Sequence, residues 1–174
     1  MIVFYVFMFL FNILNQDSQT SRNEFFVYFY EEYITVNEEI NYRLYPVQIS
    51  LGDELTVESK VRILCDNLFN NEDEYISLIP GTPEIIYLDY KDQHLELTVT
   101  NDIMNYGGNS WEWDLVNQLL STLFSVDEIN RVTINIYGEA YFREGTVINQ
   151  YTREQWNERK KIICQELMEE KVMN

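Results

Sequence analysis

Two segments of the chain place apolar residues at every third or fourth position, which is the spacing of an amphipathic α-helix. The first runs from Val57 to Leu68, and Thr56 ahead of it suits an N-cap. The second follows Asn109, which together with Glu112 has the spacing of a capping box. Each predicted helix has one apolar stripe, so each must cover a sheet.

Strand-like segments surround these helices. The aromatic run Phe25–Tyr30 is apolar on both faces and predicts a central strand covered on both sides. Tyr42–Ile49 contains Pro46, which predicts an edge or bulged strand. Four further strands are predicted, the first two as a hairpin and the last two joined by a turn at Gly138 and Glu139: Glu84–Tyr90, His94–Thr100, Val132–Ile136 and Ala140–Phe142.

The predicted elements of residues 24–151 follow the order β-α-β-β-α-β-β. This order predicts an α+β domain, a two-layer sandwich of a mixed or antiparallel sheet and two amphipathic helices. Residues 152–174 predict a charged C-terminal helix, because Thr152 and Gln155 have capping-box spacing and Trp156 begins a thin apolar stripe. The segment Asn101–Gly108 is predicted to be a loop.

The N-terminal residues 1–14 are apolar at every position except Asn12. As a helix they would span about 21 Å, which is short of the roughly 30 Å hydrocarbon core of a membrane. Their length suits the apolar part of a secretory signal or anchor, although no Lys or Arg precedes it. Residues 15–23 are predicted to be a polar linker. We expect an exported protein, either membrane-associated or secreted; a buried element at the start of the domain is the alternative.

The composition gives an acidic protein with a large core. The chain has 12 Lys and Arg and 29 Asp and Glu, which gives a net charge of −17, and 46% of its residues are hydrophobic. That apolar fraction excludes an acidic disordered chain. The charge disfavours binding to nucleic-acid phosphates, which requires Lys and Arg. The charge deficit lies before Thr152, because residues 152–174 carry five basic and five acidic side chains.

No catalytic, cofactor or metal site is predicted, and we expect a protein without enzymatic activity. The single histidine, His94, falls on the solvent face of its strand, and no Ser or Cys motif flanks it. Cys65 lies on an apolar stripe and is expected in the core, and its pairing with Cys164 stays open. The acidic triplet at residues 72–74 is expected to be a solvated loop rather than a calcium site.

The start of the second helix is the predicted partner or ligand surface. Backbone N–H groups are free at a helix N-terminus, and Trp111 and Trp113, two residues apart, cannot both face the core. An exposed tryptophan there could stack on a sugar ring or contact a partner protein. The residues of this candidate surface are Tyr106, Gly107, Gly108, Asn109, Ser110, Trp111, Trp113, Asp114 and Asn117.

The same segments resemble a GerMN domain, a module of bacterial sporulation and spore germination proteins. The match covers roughly residues 24–144 and includes an opening strand like Phe25–Tyr30 and a helix like Val57–Phe69. The other matching residues are Leu78-Ile79-Pro80-Gly81-Thr82, Tyr87-Leu88, Leu95-Glu96-Leu97-Thr98, Asn101-Asp102-Ile103, Gly107-Gly108, Ser110, Leu119–Phe124, Val126, Ile129, Val132–Ile136 and Gly138.

The resemblance implies a non-catalytic extracytoplasmic module of sporulation or spore germination in a spore-forming bacterium. Similar domains are likened to the ring-building modules of sporulation channel complexes, so the implied role is protein assembly. We expect a partner from the spore envelope or sporulation machinery, bound through a sheet edge or the Trp111–Leu123 helix surface, and also consider a homo-oligomer. Many relatives are lipoproteins, whereas this chain has no lipobox cysteine. Some relatives carry tandem copies of the domain, whereas this chain has one.

Two other functions compete with this one. The tryptophan pair and the polar side chains beside it would suit a peptidoglycan or other glycan at the cell envelope. The net charge of −17 alone would suit a cytosolic nucleic-acid mimic or inhibitor.

Overall fold

The computed structural model describes residues 24–35, 38–52, 54–70 and 75–161. The predicted signal segment and linker, the acidic triplet, Cys164 and the C-terminal helix beyond residue 161 lie outside the described residues. The strands are β1 (Glu24–Ile34), β2 (Ile40–Ser50), β3 (Ile85–Lys91), β4 (His94–Val99), β5 (Arg131–Ile136) and β6 (Ile148–Thr152). The helices are α1 (Val57–Phe69), α2 (Asn109–Leu123) and α3, which begins at residue 153.

The described strands form two sheets. β1 and β2 make an antiparallel pair, and the other four follow the order β3-β4-β5-β6, in which only β4 and β5 run parallel. The predicted α+β class and mixed sheet are confirmed, but two strands, β1 and β2, precede α1 where the predicted order has one. The predicted position of Phe25–Tyr30 as a central strand is wrong, because among the described strands β1 pairs with β2 alone.

The second edge of β1 is covered by α2 instead of by a strand. The backbone N–H of Tyr28 donates to Thr122 Oγ1 at 3.0 Å, and that of Phe26 donates to Ser125 Oγ at 3.2 Å. Farther along, Tyr30 exchanges two backbone hydrogen bonds with Ile76. These bonds satisfy donors that would otherwise require another strand.

The buried hydroxyl of Thr122 is expected to matter for stability. Thr122→Val keeps the shape of the side chain but leaves the N–H of Tyr28 without its acceptor, so the free energy of unfolding should fall by about 1–3 kcal/mol. Urea denaturation measures this change. Thr98→Val, on the more exposed face of β4, is the matched control and should change stability by less than about 0.5 kcal/mol. Equal losses in the two variants would contradict the role given to Thr122.

The outer edge of β2 is poorly suited to pairing with a further strand. Pro46, opposite Tyr28, has no N–H, and the N–H of Tyr42 already donates to Asn41 Oδ1 at 2.9 Å. Such interruptions hinder edge-to-edge pairing. The prediction of an edge strand is confirmed, and the pairing with β1 has no bulge.

The β3–β4 hairpin presents one apolar face to the core. Leu95, Leu97 and Val99 are buried, as their alternation predicts. The connecting turn places Asp92 and Gln93 at positive φ, as a two-residue hairpin turn does. The following segment is not wholly a loop, because Asn101–Met104 forms a short 3₁₀ helix.

Two of the predicted helix starts are confirmed. Thr56 Oγ1 accepts from the N–H of Ser59 at 3.3 Å at the start of α1. Before α3, Thr152 and Gln155 make both bonds of a capping box, at 2.8 and 3.1 Å. Cys65 lies in the core as expected, and burial raises the pKa of its thiol to about 12.

The predicted strand Ala140–Phe142 is wrong. The chain makes an irregular excursion after Gly138, and β6, beginning six residues after Phe142, takes the place beside β5 instead. The excursion is closed by a hydrogen bond from the N–H of Phe142 to the carbonyl of Thr146 and is fastened to α2 by a buried carboxylate. That carboxylate belongs to the candidate site.

Candidate functional site

The candidate site lies at the first turns of α2. Gly108 occupies the N-cap at φ 90°, a left-handed conformation that favours glycine, and no side chain caps the helix. The predicted capping box of Asn109 and Glu112 is therefore wrong. α2 already includes Asn109, and the Glu112 side chain points inward, where only 1% of the residue is exposed.

Glu112 accepts hydrogen bonds from three groups. Its Oε2 accepts from Tyr106 Oη and from the backbone N–H of Glu144, both at 2.6 Å, and its Oε1 accepts from the N–H of Thr146 at 3.0 Å. Burial acts to raise the pKa of Glu112, but the bonds donated by Thr146, Tyr106 and Glu144 outweigh it and lower the pKa. One ionised carboxylate thus holds the turn at residues 143–146 against α2.

Tyr106 belongs to the same buried network. Its hydroxyl accepts from the N–H of Arg143 at 3.1 Å, and its carbonyl accepts from the Arg143 guanidinium. Burial raises the pKa of the Tyr106 hydroxyl, so it stays protonated and donates to Glu112. Tyr106, predicted at the ligand surface, therefore lies inside the fold and helps to build it.

The two tryptophans flank the first turns of α2 and are both partly exposed, Trp111 by 43% and Trp113 by 38%. Trp111 Nε1 donates to the carbonyl of Leu78 at 2.9 Å. The guanidinium of Arg159, from α3, lies 3.9 Å from the ring centre of Trp113. Each indole is thus held by a group outside α2, and the two rings point to different sides of α2.

A polar cluster ties the next turn of α2 to β1. Tyr30 Oη donates to Asp114 Oδ1 at 3.0 Å, and burial raises the pKa of the Asp114 carboxyl. Asn117 is 8% exposed, and its Oδ1 has no hydrogen-bond partner among the described residues. Asp114 and Asn117 face Tyr30 of β1, away from the predicted ligand surface.

The structure separates the nine candidate residues into two groups. Gly107, Gly108, Asn109, Ser110 and the two tryptophans are exposed, whereas Tyr106 and Asn117 are buried and Asp114 is half-buried. Beyond its first turns α2 is buried on every side, as the ten residues Glu112 and Leu115–Leu123 show. The helix surface expected to extend from Trp111 to Leu123 therefore ends near Asp114.

Sequence reasoning missed four side chains that shape this site: Tyr30, Glu112, Arg143 and Arg159. Only Glu112 carried a local signal, its capping-box spacing from Asn109. That spacing indicated a bond at the start of α2 rather than bonds to the turn at residues 143–146. The other three lie at least thirty residues from the groups they contact, so no spacing pattern could have identified them.

Other chemistry is limited in the described part of the chain. No group of three His, Cys, Asp or Glu side chains there could hold a metal ion, and no helix there is long and apolar enough to cross a membrane. His94 Nε2 lies 2.8 Å from Thr133 Oγ1, between neighbouring strands.

The fold is similar to solved GerMN domains. The first GerMN domain of the sporulation protein GerM from Bacillus subtilis aligns with 75% of this chain and 98% of its own length, at 18% identity and a TM-score of 0.50. The tandem GerMN domains of the same protein align over 75% of this chain at 12% identity and a TM-score of 0.53. This chain covers 45% of that tandem structure. No protein-family model and no curated protein sequence matches the chain. At such identities the likeness establishes the architecture, and this protein therefore has a GerMN-like fold.

Proposed function

We propose that this protein is a non-catalytic, extracytoplasmic binding module that takes part in sporulation or spore germination by docking a protein partner. The GerMN-like fold supports this role, because the solved domains with the same architecture belong to a sporulation protein. One fold can host many functions, so a docking role also requires a surface that can bind a partner.

The observation that carries the proposal is a pair of restrained, partly exposed indoles on two sides of the first turns of α2, which together with Arg159 we call the fixed tryptophan surface. Tryptophan and arginine are the side chains enriched at the energetic centres of protein interfaces. Both indoles are restrained before binding, by Leu78 and by Arg159, so little conformational entropy is lost when a partner docks. The net charge of −17 favours a neutral or basic partner.

The polar groups beside this surface support binding rather than catalysis. Tyr106, Glu112 and Arg143 hydrogen-bond to one another or to backbone groups of the same fold. Their bonds explain the ionisation of Glu112 without a substrate. A reactive site would direct such groups into an accessible cleft.

Trp113→Ala is expected to weaken partner capture about tenfold or more, because truncation of a central interface tryptophan commonly costs about 2 kcal/mol. The measurement is quantitative capture of envelope and sporulation proteins from sporulating cells of the source organism, with the purified protein as bait. Tyr42→Ala, which truncates another exposed aromatic residue on β2, is the control and should leave capture unchanged. Equal capture by both variants would place the partner elsewhere, and recovery of no such component would count against the proposed role.

Export is the second part of the proposal. It is supported by the apolar residues 1–14 and the polar residues 15–23 that follow them. Mass spectrometry of the protein isolated from its source should find a mature N-terminus near residues 15–23, or labelling of intact cells should reach the protein. Retention in the cytoplasm would favour the acidic mimic instead.

A glycan is a second candidate ligand for the exposed indoles, because aromatic rings stack on sugars. Since Trp111 and Trp113 point to different sides of α2, each would contact a separate part of the glycan. Sedimentation with purified peptidoglycan, compared between the wild type and Trp113→Ala, tests this function. A protein that stays in the supernatant removes it.

A further inference from the structure

A cleft with a volume of about 330 Å³ lies on the side of the four-stranded sheet where β5 and β6 diverge. The last residue pair between these strands is Ile134 with Ile148. Asn135 and Ile136 continue β5, but the chain departs after Gly138 and returns only at β6. The cleft therefore exists because the excursion between the strands leaves the end of β5 open on that side.

The cleft has an apolar base and a polar wall. Phe142 and Ile148 line it and are buried in the core, whereas Asn135 and Asn149 line it and are exposed. Thr146 also lines the cleft, and its N–H donates to Glu112. The carboxylate that fastens the turn at residues 143–146 to α2 thus also holds one wall of this cleft in place.

The charge of the cleft is negative. Glu96 and Glu139 line it, and none of its thirteen lining residues is Lys or Arg. Glu96 Oε1 accepts from Asn135 Nδ2 at 3.1 Å, which fixes the carboxylate and leaves Oε2 to accept another donor. Within the described residues the Glu139 side chain makes no hydrogen bond or ion pair.

Exposed aromatic and apolar side chains stand at the same cleft. Tyr141 and Val147 line it and are 57% and 61% exposed, and Tyr137, two residues before Glu139, is 64% exposed. A tyrosine ring beside carboxylates attracts a cation through its electron-rich face. The combination of two carboxylates, amide groups and a tyrosine matches the donors and flat shape of a guanidinium group.

We propose that this cleft binds an arginine side chain from a basic segment of the partner protein. The assignment rests on the proposed function as a protein-docking module and adds a second surface, apart from the fixed tryptophan surface, with a stated preference in charge. The cleft carboxylates accept hydrogen bonds from the cation, and the ring of Tyr141 lies against it.

Binding of a fluorescent peptide of alternating arginine and glycine tests the cleft directly, with fluorescence anisotropy as the readout and the full chain as the receptor. We expect binding that weakens as salt increases. The Glu96→Gln/Glu139→Gln double variant should lower the affinity about tenfold, which corresponds to about 1.4 kcal/mol. Tyr141→Ala should lower it about threefold through loss of the ring.

A matched control separates the cleft from general attraction to an acidic protein. Glu32→Gln/Glu39→Gln changes the net charge by the same amount at exposed positions on the β1–β2 hairpin and should alter the affinity less than twofold. Amide NMR signals of Asn135, Tyr141 and Asn149 should move on addition of the peptide. Equal losses in the two double variants, or signals that move only elsewhere, would overturn the proposal.

The same variants keep the two proposals distinguishable. If the wild type captures a sporulation component and Glu96→Gln/Glu139→Gln captures it equally well, the cleft assignment fails and the docking function stands. If no component is captured but the peptide binds with the expected variant pattern, the cleft is a site for basic groups and the proposed function fails.

Discussion

Glu112→Ala is expected to lower the free energy of unfolding by about 3–5 kcal/mol, because it removes the acceptor of three hydrogen bonds inside the fold. The hydroxyl of Tyr106 and the N–H groups of Glu144 and Thr146 would all lose their partner. The turn at residues 143–146 would then lose its attachment to α2. Urea denaturation followed by circular dichroism measures the change.

Two further variants separate the charge of Glu112 from its shape. Glu112→Gln keeps one oxygen but presents an amide donor to groups that already donate, so most of the loss should remain. Tyr106→Phe removes one donor and should cost only about 1 kcal/mol. Glu32→Ala, at an exposed position of β1, should have little effect. A loss below about 1 kcal/mol for Glu112→Ala would show that water or a shifted loop replaces the carboxylate.

The contribution of Glu112 should also depend on pH. Its folded-state pKa lies below the ordinary value of 4.5, so the unfolded chain binds the proton more readily. The stabilisation is fully present above pH 4.5 and is lost as the pH falls through the folded-state pKa. The difference in stability between the wild type and Glu112→Gln should therefore shrink on acidification below about pH 4.5, whereas a constant difference would contradict ionisation of Glu112 in the folded state.

Arg153→Met is expected to lower the free energy of unfolding by about 2–4 kcal/mol. The guanidinium donates to the carbonyls of Phe124, Val126 and Ile129 at 2.6–3.0 Å, just beyond the C-terminal end of α2. A cation at this end also interacts favourably with the helix dipole, and its charge lies 5.2 Å from the ring centre of Phe124. Arg153 thereby attaches the start of α3 to the core.

Arg153→Met should weaken the attachment of α3 to the core as well as lower global stability. Trp156, one turn after Arg153, is 1% exposed, so detachment of α3 would shift its fluorescence to longer wavelength. Arg153→Lys should recover only part of the stability, because one ammonium group cannot reproduce the fork that reaches three carbonyls. Arg62→Met, at an exposed position of α1, is the control. Wild-type stability in Arg153→Lys would show that charge alone suffices.

The fold could be predicted from the sequence where the signal lay within one element. The apolar spacing from Val57 onward and the hydroxyl of Thr56 gave α1 and its start, and the alternation of Leu95, Leu97 and Val99 gave β4. Each of these patterns acts through neighbours a few residues away. The capping box of Thr152 and Gln155 was predictable for the same reason.

The site was much less predictable. Trp111 and Trp113 were identified because two bulky residues two positions apart cannot share one face of a helix. Glu112 has the spacing of a capping residue, yet it bonds to N–H groups 32 and 34 residues away. No local pattern contains that information, because a buried carboxylate takes whichever donors the assembled fold brings to it.

The sequence by itself determined the two amphipathic helices, the alternating strand β4, the α+β class and the net negative charge. The tertiary structure decided that α2 rather than a strand covers the outer edge of β1, that β6 rather than Ala140–Phe142 pairs with β5, and that Glu112 is structural. The physical reason is the distance along the chain over which each interaction acts. Periodicity is fixed by backbone geometry over a few residues, whereas the satisfaction of buried polar groups depends on partners that only folding brings together.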